Sequence, residues 1–156
     1  MNNLILRPMT SAELSALTAL FDYNDVPAMI AENTRLIDSG AFSIYLLFAS
    51  DELIGELHVT WRSDDPLAAI DGQRAYLSAF RIREEWQGRG LGQYLLRGVI
   101  SVIEARGYRE ITIGVEDDNS LAKHIYEKFG FTEFVACRRE SYQGDSYEYD
   151  LLLRRI

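Results

Sequence analysis

One stretch constrains this chain more than any other: a strand that runs into three alternating glycines and then directly into an apolar helix. It reads Phe80-Arg81-Ile82-Arg83-Glu84-Glu85-Trp86-Gln87-Gly88-Arg89-Gly90-Leu91-Gly92. The first turn of a helix presents N–H groups without intrahelical partners and a partial positive charge, so it suits a pyrophosphate. Glycines let the backbone approach such an anion and adopt conformations that a Cβ disfavours. The spacing excludes two nucleotide-binding turns. A P-loop ends in Gly-Lys-Ser/Thr, which this turn lacks, and in a G-x-G-x-x-G fingerprint counted from Gly88 the third glycine would fall at Gln93.

The remaining pattern supplies the elements around that turn. Asn3–Arg7 reads as a strand, and Thr10 with Glu13 forms a capping-box pair opening a helix with Leu14, Leu17, Leu20 and Phe21 at helical spacing. Pro27 suits the first turn of a second helix to Ser39, with Gly40 as its stop. Phe42–Ala49 and Leu53–Trp61 read as a hairpin around Asp51-Glu52, followed by a polar loop over Arg62–Gly72. Ala75–Arg83 is a strand, Leu91–Ala105 a helix, Glu110–Glu116 a strand and Asn119–Phe129 a helix stopped by Gly130. Phe131–Arg138 and Tyr147–Leu153 close the chain as an antiparallel pair around Gly144-Asp145. This order predicts an α/β (mixed α+β) fold with a mixed sheet of about seven strands flanked by helices. A length of 156 residues without repeats or linkers predicts a single domain over 1–156.

Charge narrows the partners. The net charge of −8 argues against a dedicated nucleic-acid binder. The excess is confined to residues 1–73, which hold 3 basic and 11 acidic side chains, whereas residues 74–156 hold 13 of each. Lone Cys137 excludes an internal disulfide. No apolar run has the length of a membrane span, and the start MNNLILRPMT lacks the shape of a signal peptide, so a cytoplasmic protein is expected. No His/Cys/Asp cluster has metal-ligand spacing, so no metal is expected.

A second motif follows: Asn119-Ser-Leu-Ala122-Lys-His-Ile-Tyr126-Glu-Lys-Phe-Gly130-Phe131. Together the two stretches resemble the GNAT acetyltransferase superfamily. Gln87-Gly88-Arg89-Gly90-Leu91-Gly92 is similar to its Q/R-x-x-G-x-G/A signature, and the later run to its N-x-x-A-x-x-x-Y-x-x-x-G-F. Glu84 stands where the family often has proline. The resemblance implies a GNAT-like fold, with a mixed, mostly antiparallel central sheet, and acetyl-CoA as co-substrate. It implies that the glycine turn clamps the pyrophosphate, that the backbone of Phe80, Arg81 and Ile82 pairs with the pantetheine arm, and that Asn119 and Tyr126 contact the cofactor. A homodimer is implied by the resemblance alone. Arg81, Arg83, Arg89, Lys123 and Lys128 are expected near the phosphates.

Acyl transfer from a thioester to an amine needs three things: a deprotonated amine, donors for the oxyanion and a proton for the thiolate. An amine of pKa about 10.4 is neutral in only about one molecule in a thousand at pH 7, so a general base or a water chain is expected. Tyr126 is the candidate acid. A phenol near 10 protonating a thiolate near 8.5 is uphill by about 2 kcal/mol, which favours hydrogen bonding with late transfer. Glu56 is the candidate base: alternation in Gly55–Trp61 puts Leu57, Val59 and Trp61 on one face and Glu56, His58 and Thr60 on the other. A solvated sheet face is the alternative reading, and His58 and Glu116 are further candidates. His124 is expected on the surface, and Cys137 packed in the closing strand. The acidic first half suits a small cationic acceptor, although acidic surface also serves solubility alone. Tyr142, Tyr147 and Tyr149 are candidate pocket residues. The expected activity is N-acetylation of a primary amine by direct attack in a ternary complex. A protein or peptide acetyltransferase and a non-catalytic acyl-CoA-binding module are the alternatives.

Overall fold

The structure, a computed structural model, describes residues 3–23, 25–142 and 145–156, with no account of the side chains of Tyr142 and Asp145. Among the described residues there are seven strands, β1 (Leu4–Pro8), β2 (Phe42–Ala49), β3 (Glu52–Thr60), β4 (Arg74–Ile82), β5 (Glu110–Val115), β6 (Glu133–Tyr142) and β7 (Asp145–Arg155), and four α-helices. These are α1 (Leu14–Thr18), α2 (Val26–Asp38), α3 (Leu91–Ala105) and α4 (Ser120–Lys128). The sheet order is β1-β2-β3-β4-β5-β7-β6. β4 pairs parallel with β5, while β1–β2, β5–β7 and β6–β7 are antiparallel. The expected mixed sheet is thus present, and each element falls within a few residues of its place in the sequence pattern.

The chain divides into two compact units, residues 1–59 with 79–102 and residues 60–78 with 103–156. In the first, the capping box is formed: Glu13 Oε1 accepts from the Thr10 amide at 3.0 Å. Leu14, Leu17 and Phe21 then pack with Met29 of α2 and with Phe42, Ile44, Leu46 and Leu53 of β2 and β3. Each fully buried aliphatic side chain of this kind contributes about 1.5–3 kcal/mol. Leu20, placed on the same stripe by its spacing, is instead 40% exposed. α3 buries Leu95, Leu96, Val99, Ile100 and Ile103.

The second unit rests on Ile111, Ile113 and Val115 of β5 with Leu151 and Leu153 of β7, all buried. Buried Trp61 carries the Arg106 guanidinium 3.8 Å from its ring centroid. Buried Glu110 is held by Arg74 and Arg155 at 3.1 and 3.2 Å. The final hairpin is longer than its sequence pattern, because β6 and β7 continue in polar residues out to Tyr142 and Asp145. The turn expected at Gly144 lies outside the described residues.

Candidate active site

β4 leads towards the glycine turn. Its parallel ladder with β5 runs from Arg74 opposite Glu110 to Leu77 opposite Ile113 and ends there. Ala79, two residues later, has φ 50, a left-handed conformation rare for a residue with a Cβ. After Ile82 a short 3-10 turn, Glu84–Trp86, leads into the glycines. The sequence pattern did not reveal this turn. Glu84 occupies its first position, where proline would also fit, so the departure from the family pattern leaves the backbone path intact.

Gly88 and Gly90 have φ of 78 and 76, and a Cβ built on either would meet no atom within 4 Å. The glycines are therefore required by conformation and not by crowding, and they face open space immediately before the first turn of α3. An anion can enter that space; a side chain would fill it. Gln87 braces the turn by donating Nε2–H to the Ile82 carbonyl at 2.9 Å. A cleft of about 520 Å³ lies beside it, lined by Phe21, Asp22, Phe80, Arg81, Arg83 and Gln87 among others.

The cations expected near the phosphates are mostly engaged elsewhere. Arg83 sits 3.2 Å from Glu85 and 3.7 Å from Glu52, and Lys123 sits 2.8 Å from Asp117. Arg89 stacks on Trp86, 4.8 Å from its centroid, with no carboxylate partner among the described residues. Arg81 points its side chain to Glu56, with Nε 3.2 Å from Oε2.

Glu56 is the centre of a buried cluster. The reading of its strand face as solvated is overturned: Glu56 is 0% and His58 6% exposed. Tyr23 donates its hydroxyl to Glu56 Oε1 at 2.5 Å, and His58 Nε2 bonds the same oxygen. The Arg81 guanidinium lies 4.6 Å from the Tyr23 ring and 5.2 Å from Phe21, and donates to the Asp22 carbonyl at 2.9 Å. Burial, then the charge of Glu56 and its hydrogen bond, push the Tyr23 phenol far above its ordinary range. Tyr23 was missed in the sequence because its loop carries no periodic signal and it lies 33 residues from its partner.

The other candidates are placed as follows. Tyr126 is buried on α4 with its ring edge-on to Phe131 at 6.2 Å, and burial pushes its phenol up to about 12. Asn119 caps α4 by accepting from the Ala122 amide at 3.1 Å. Glu116 is exposed just past the end of β5, and His124 is exposed as expected. Cys137 lies on β6 but is exposed, correcting the expectation that it packs. Tyr147 and Tyr149 share a face of β7, and the Tyr142 side chain lies outside the described residues. Among the described residues no group of three or more His, Cys, Asp or Glu is placed to hold a metal ion. No described helix is long and apolar enough to cross a membrane.

Residues 9–131 match the model of the acetyltransferase (GNAT) family. The N-alpha-acetyltransferase 30 of Schizosaccharomyces pombe is 32% identical over 79 residues, 50% of this chain and 53% of that protein. Mycothiol acetyltransferase of Rhodococcus opacus is 28% identical over 91 residues, 58% of this chain and 30% of that protein. The chain thus spans about half or less of the length of these curated relatives. A GNAT family acetyltransferase from Elizabethkingia anophelis, solved with acetyl-CoA bound, superposes with a TM-score of 0.70 at 20% identity, covering 100% of both chains.

Proposed function

Because the chain belongs to the acetyltransferase (GNAT) family, we propose that it moves an acetyl group from acetyl-CoA to a primary amine of a small cationic molecule, by direct attack in a ternary complex. The observation that carries this reading is the pair of positive-φ glycines, Gly88 and Gly90, opening onto empty space before α3. We assign the pyrophosphate to the amides of that turn, with Arg89 as the cation beside it, and the pantetheine arm to the backbone of Phe80, Arg81 and Ile82. Gln87, Leu91 and Gly92 hold the turn's shape, while Asn119 and Tyr126 complete the cofactor contacts. When bound, acetyl-CoA supplies the activated acyl group.

The chain's own residues handle the protons. Glu56 is fully buried, so an acceptor amine does not touch it. Its proton arrives through Tyr23, whose hydroxyl already points at Oε1 and whose ring is half-buried. Such a phenol relays without ionising: it accepts on oxygen as its own proton passes to Glu56. Arg81 offsets the carboxylate charge between turnovers. Tyr126 hydrogen-bonds the departing sulfur. With its phenol at about 12, complete transfer to a thiolate near 8.5 is uphill by about 5 kcal/mol, so Tyr126 works mainly as a hydrogen-bond donor.

A second reading, acetylation of a peptide α-amine, is favoured by the similarity to the Schizosaccharomyces pombe protein. Calorimetric titration with acetyl-CoA, using NADH and ATP as controls, tests the cofactor. Selective binding that Gly90→Val abolishes is expected, and a folded protein that ignores acetyl-CoA would end the proposal. Turnover with amine and peptide panels then separates the two readings.

A further inference from the structure

Within the first unit, the charged side chains around the glycine turn are sorted by strand pairing. The Arg83 amide donates to the Ile54 carbonyl at 2.8 Å, which joins the end of β4 to the start of β3 and brings Glu52 to the turn. Arg83 then stands 3.7 Å from Glu52 and 3.2 Å from Glu85. Glu52 also accepts the Trp86 indole N–H at 2.6 Å. Both carboxylates therefore have donors, while Arg89 has no carboxylate partner among the described residues. Its guanidinium lies over the Trp86 ring, 4.8 Å from the centroid, and donates to the Glu85 carbonyl at 3.2 Å.

Those two contacts hold Arg89 without cancelling its charge. A π face and a carbonyl oxygen attract a guanidinium, but neither carries a full negative charge. Trp86 is fixed in its turn, because its single N–H is committed to Glu52. The positioning thus runs from Glu52 through Trp86 to Arg89, between Gly88 and Gly90, whose positive φ opens onto empty space before α3. A guanidinium is a planar fork of donors that stays charged at any working pH, and it takes a phosphate through two parallel hydrogen bonds. Ordering a loose arginine on binding lowers affinity by about two- to tenfold, and an arginine already in place avoids that loss.

We propose that Trp86, anchored by Glu52, is a positioning residue that presents Arg89 preformed to a phosphate of the ligand at the glycine turn. Trp86 does not touch the phosphate and acts only through Arg89. The inference rests on the acetyltransferase reading for naming that ligand as acetyl-CoA, whereas inorganic pyrophosphate reads the anion site without it. Glu52 separates positioning from simple electrostatics by sign. Were Glu52 only a negative charge near an anion, its removal would tighten binding; as the anchor of the indole, its removal loosens binding.

The test is calorimetric titration of inorganic pyrophosphate, and separately of acetyl-CoA, into the whole protein at low ionic strength. Arg89→Ala should weaken both by about tenfold and Trp86→Leu by about fivefold. Trp86→Phe, which keeps a ring face and loses the N–H, should recover part of that loss. Glu52→Ala should weaken binding about twofold although it removes a negative charge. In an Arg89→Ala background, Trp86→Leu should have no further effect. A Trp86→Leu loss of full size in that background would assign Trp86 to the fold of the turn and overturn the inference, as would tighter binding by Glu52→Ala. The expected pattern with pyrophosphate, in a protein that ignores acetyl-CoA, would uphold the positioning and end the proposed function. Acetyl-CoA binding that Trp86→Leu leaves at wild-type strength would do the reverse, and a folded protein that binds neither probe would end both.

Discussion

Two glutamates in this chain make the same bond and hold opposite positions. Glu56 and Glu140 each accept a tyrosine hydroxyl at 2.5–2.7 Å. Glu56 is sealed from solvent and faces Arg81, whereas Glu140 is exposed and faces no cation among the described residues. A carboxylate taken wholly out of water must have its charge offset within the protein, since desolvation of an uncompensated ion costs several kcal/mol. Its charge is then unavailable to a ligand, but its protonation can couple to a buried chain of hydroxyls. An exposed carboxylate needs no such partner and keeps its charge for whatever docks. The same residue pair offers a buried proton path in one place and an open negative charge in the other, and burial with its counter-charge decides which.

The largest expected effect separates the two by kinetics. Glu56→Gln keeps shape and hydrogen-bond capacity but removes the proton sink, so kcat should fall by about 10²–10⁴ with little change in acceptor KM. Glu140→Gln, which removes no buried proton path, should change kcat far less. A Glu56→Gln enzyme with normal kcat and raised KM would mean that Glu56 also binds substrate, and the division of labour would break.

Arg81→Gln comes next, read by chemical denaturation. It leaves Glu56 buried beside no cation, which typically costs about 3–5 kcal/mol; the Arg81 side chain is 32% exposed, so the lower end is expected. The double variant Glu56→Gln/Arg81→Gln should regain much of that loss, because neither charge is then stranded. Equal losses in single and double variants would show that Arg81 stabilises by packing on Tyr23 and Phe21 and not through charge.

The contrast also marks what the sequence could reveal. Strand alternation put Glu56 and His58 on one face, but alternation reports a face and not its cover, so buried and solvated readings were equivalent. The cover depends on Tyr23 and Arg81, 33 residues before and 25 residues after Glu56, and no local period links positions so distant. The glycine turn was legible because its requirement is local: Gly88 and Gly90 need φ near 77, and the chain declares that by residue type. The strands and helices were legible for the same reason, as were the capping box at Thr10 and the stop at Gly40. Leu20 failed because helical spacing assigned it an inward position that tertiary packing left uncovered, and Cys137 because the closing strand expected to bury it leaves it exposed. The bonds from Tyr147 and Tyr149 to Glu140 lay on tyrosines already under suspicion, but their convergence required the register of β6 on β7.

Glu13 separates the two variables that differ between Glu56 and Glu140, because it has an arginine partner without deep burial. Arg7 grips it in a bidentate pair at 2.9 and 2.7 Å, and the side chains are 41% and 30% exposed. The Arg7 hydrogen bonds, then the Thr10 amide and hydroxyl, bring the Glu13 carboxyl from 4.5 to about 2 against the opposing effect of desolvation. Because the folded value is depressed, the linked stability is fully present above 4.5 and is lost as pH falls through about 2. Solvent screening limits it to about 1 kcal/mol. Glu13→Gln should therefore be about 1 kcal/mol less stable than wild type at pH 7, and the gap should narrow as the pH approaches 2 in thermal melts. A gap that ignores pH would assign the effect to helix capping. A gap as large as that of Arg81→Gln would mean that counter-charge alone, without burial, sets the cost of breaking a pair, and the account of Glu56 and Glu140 would have to be rebuilt on that single variable.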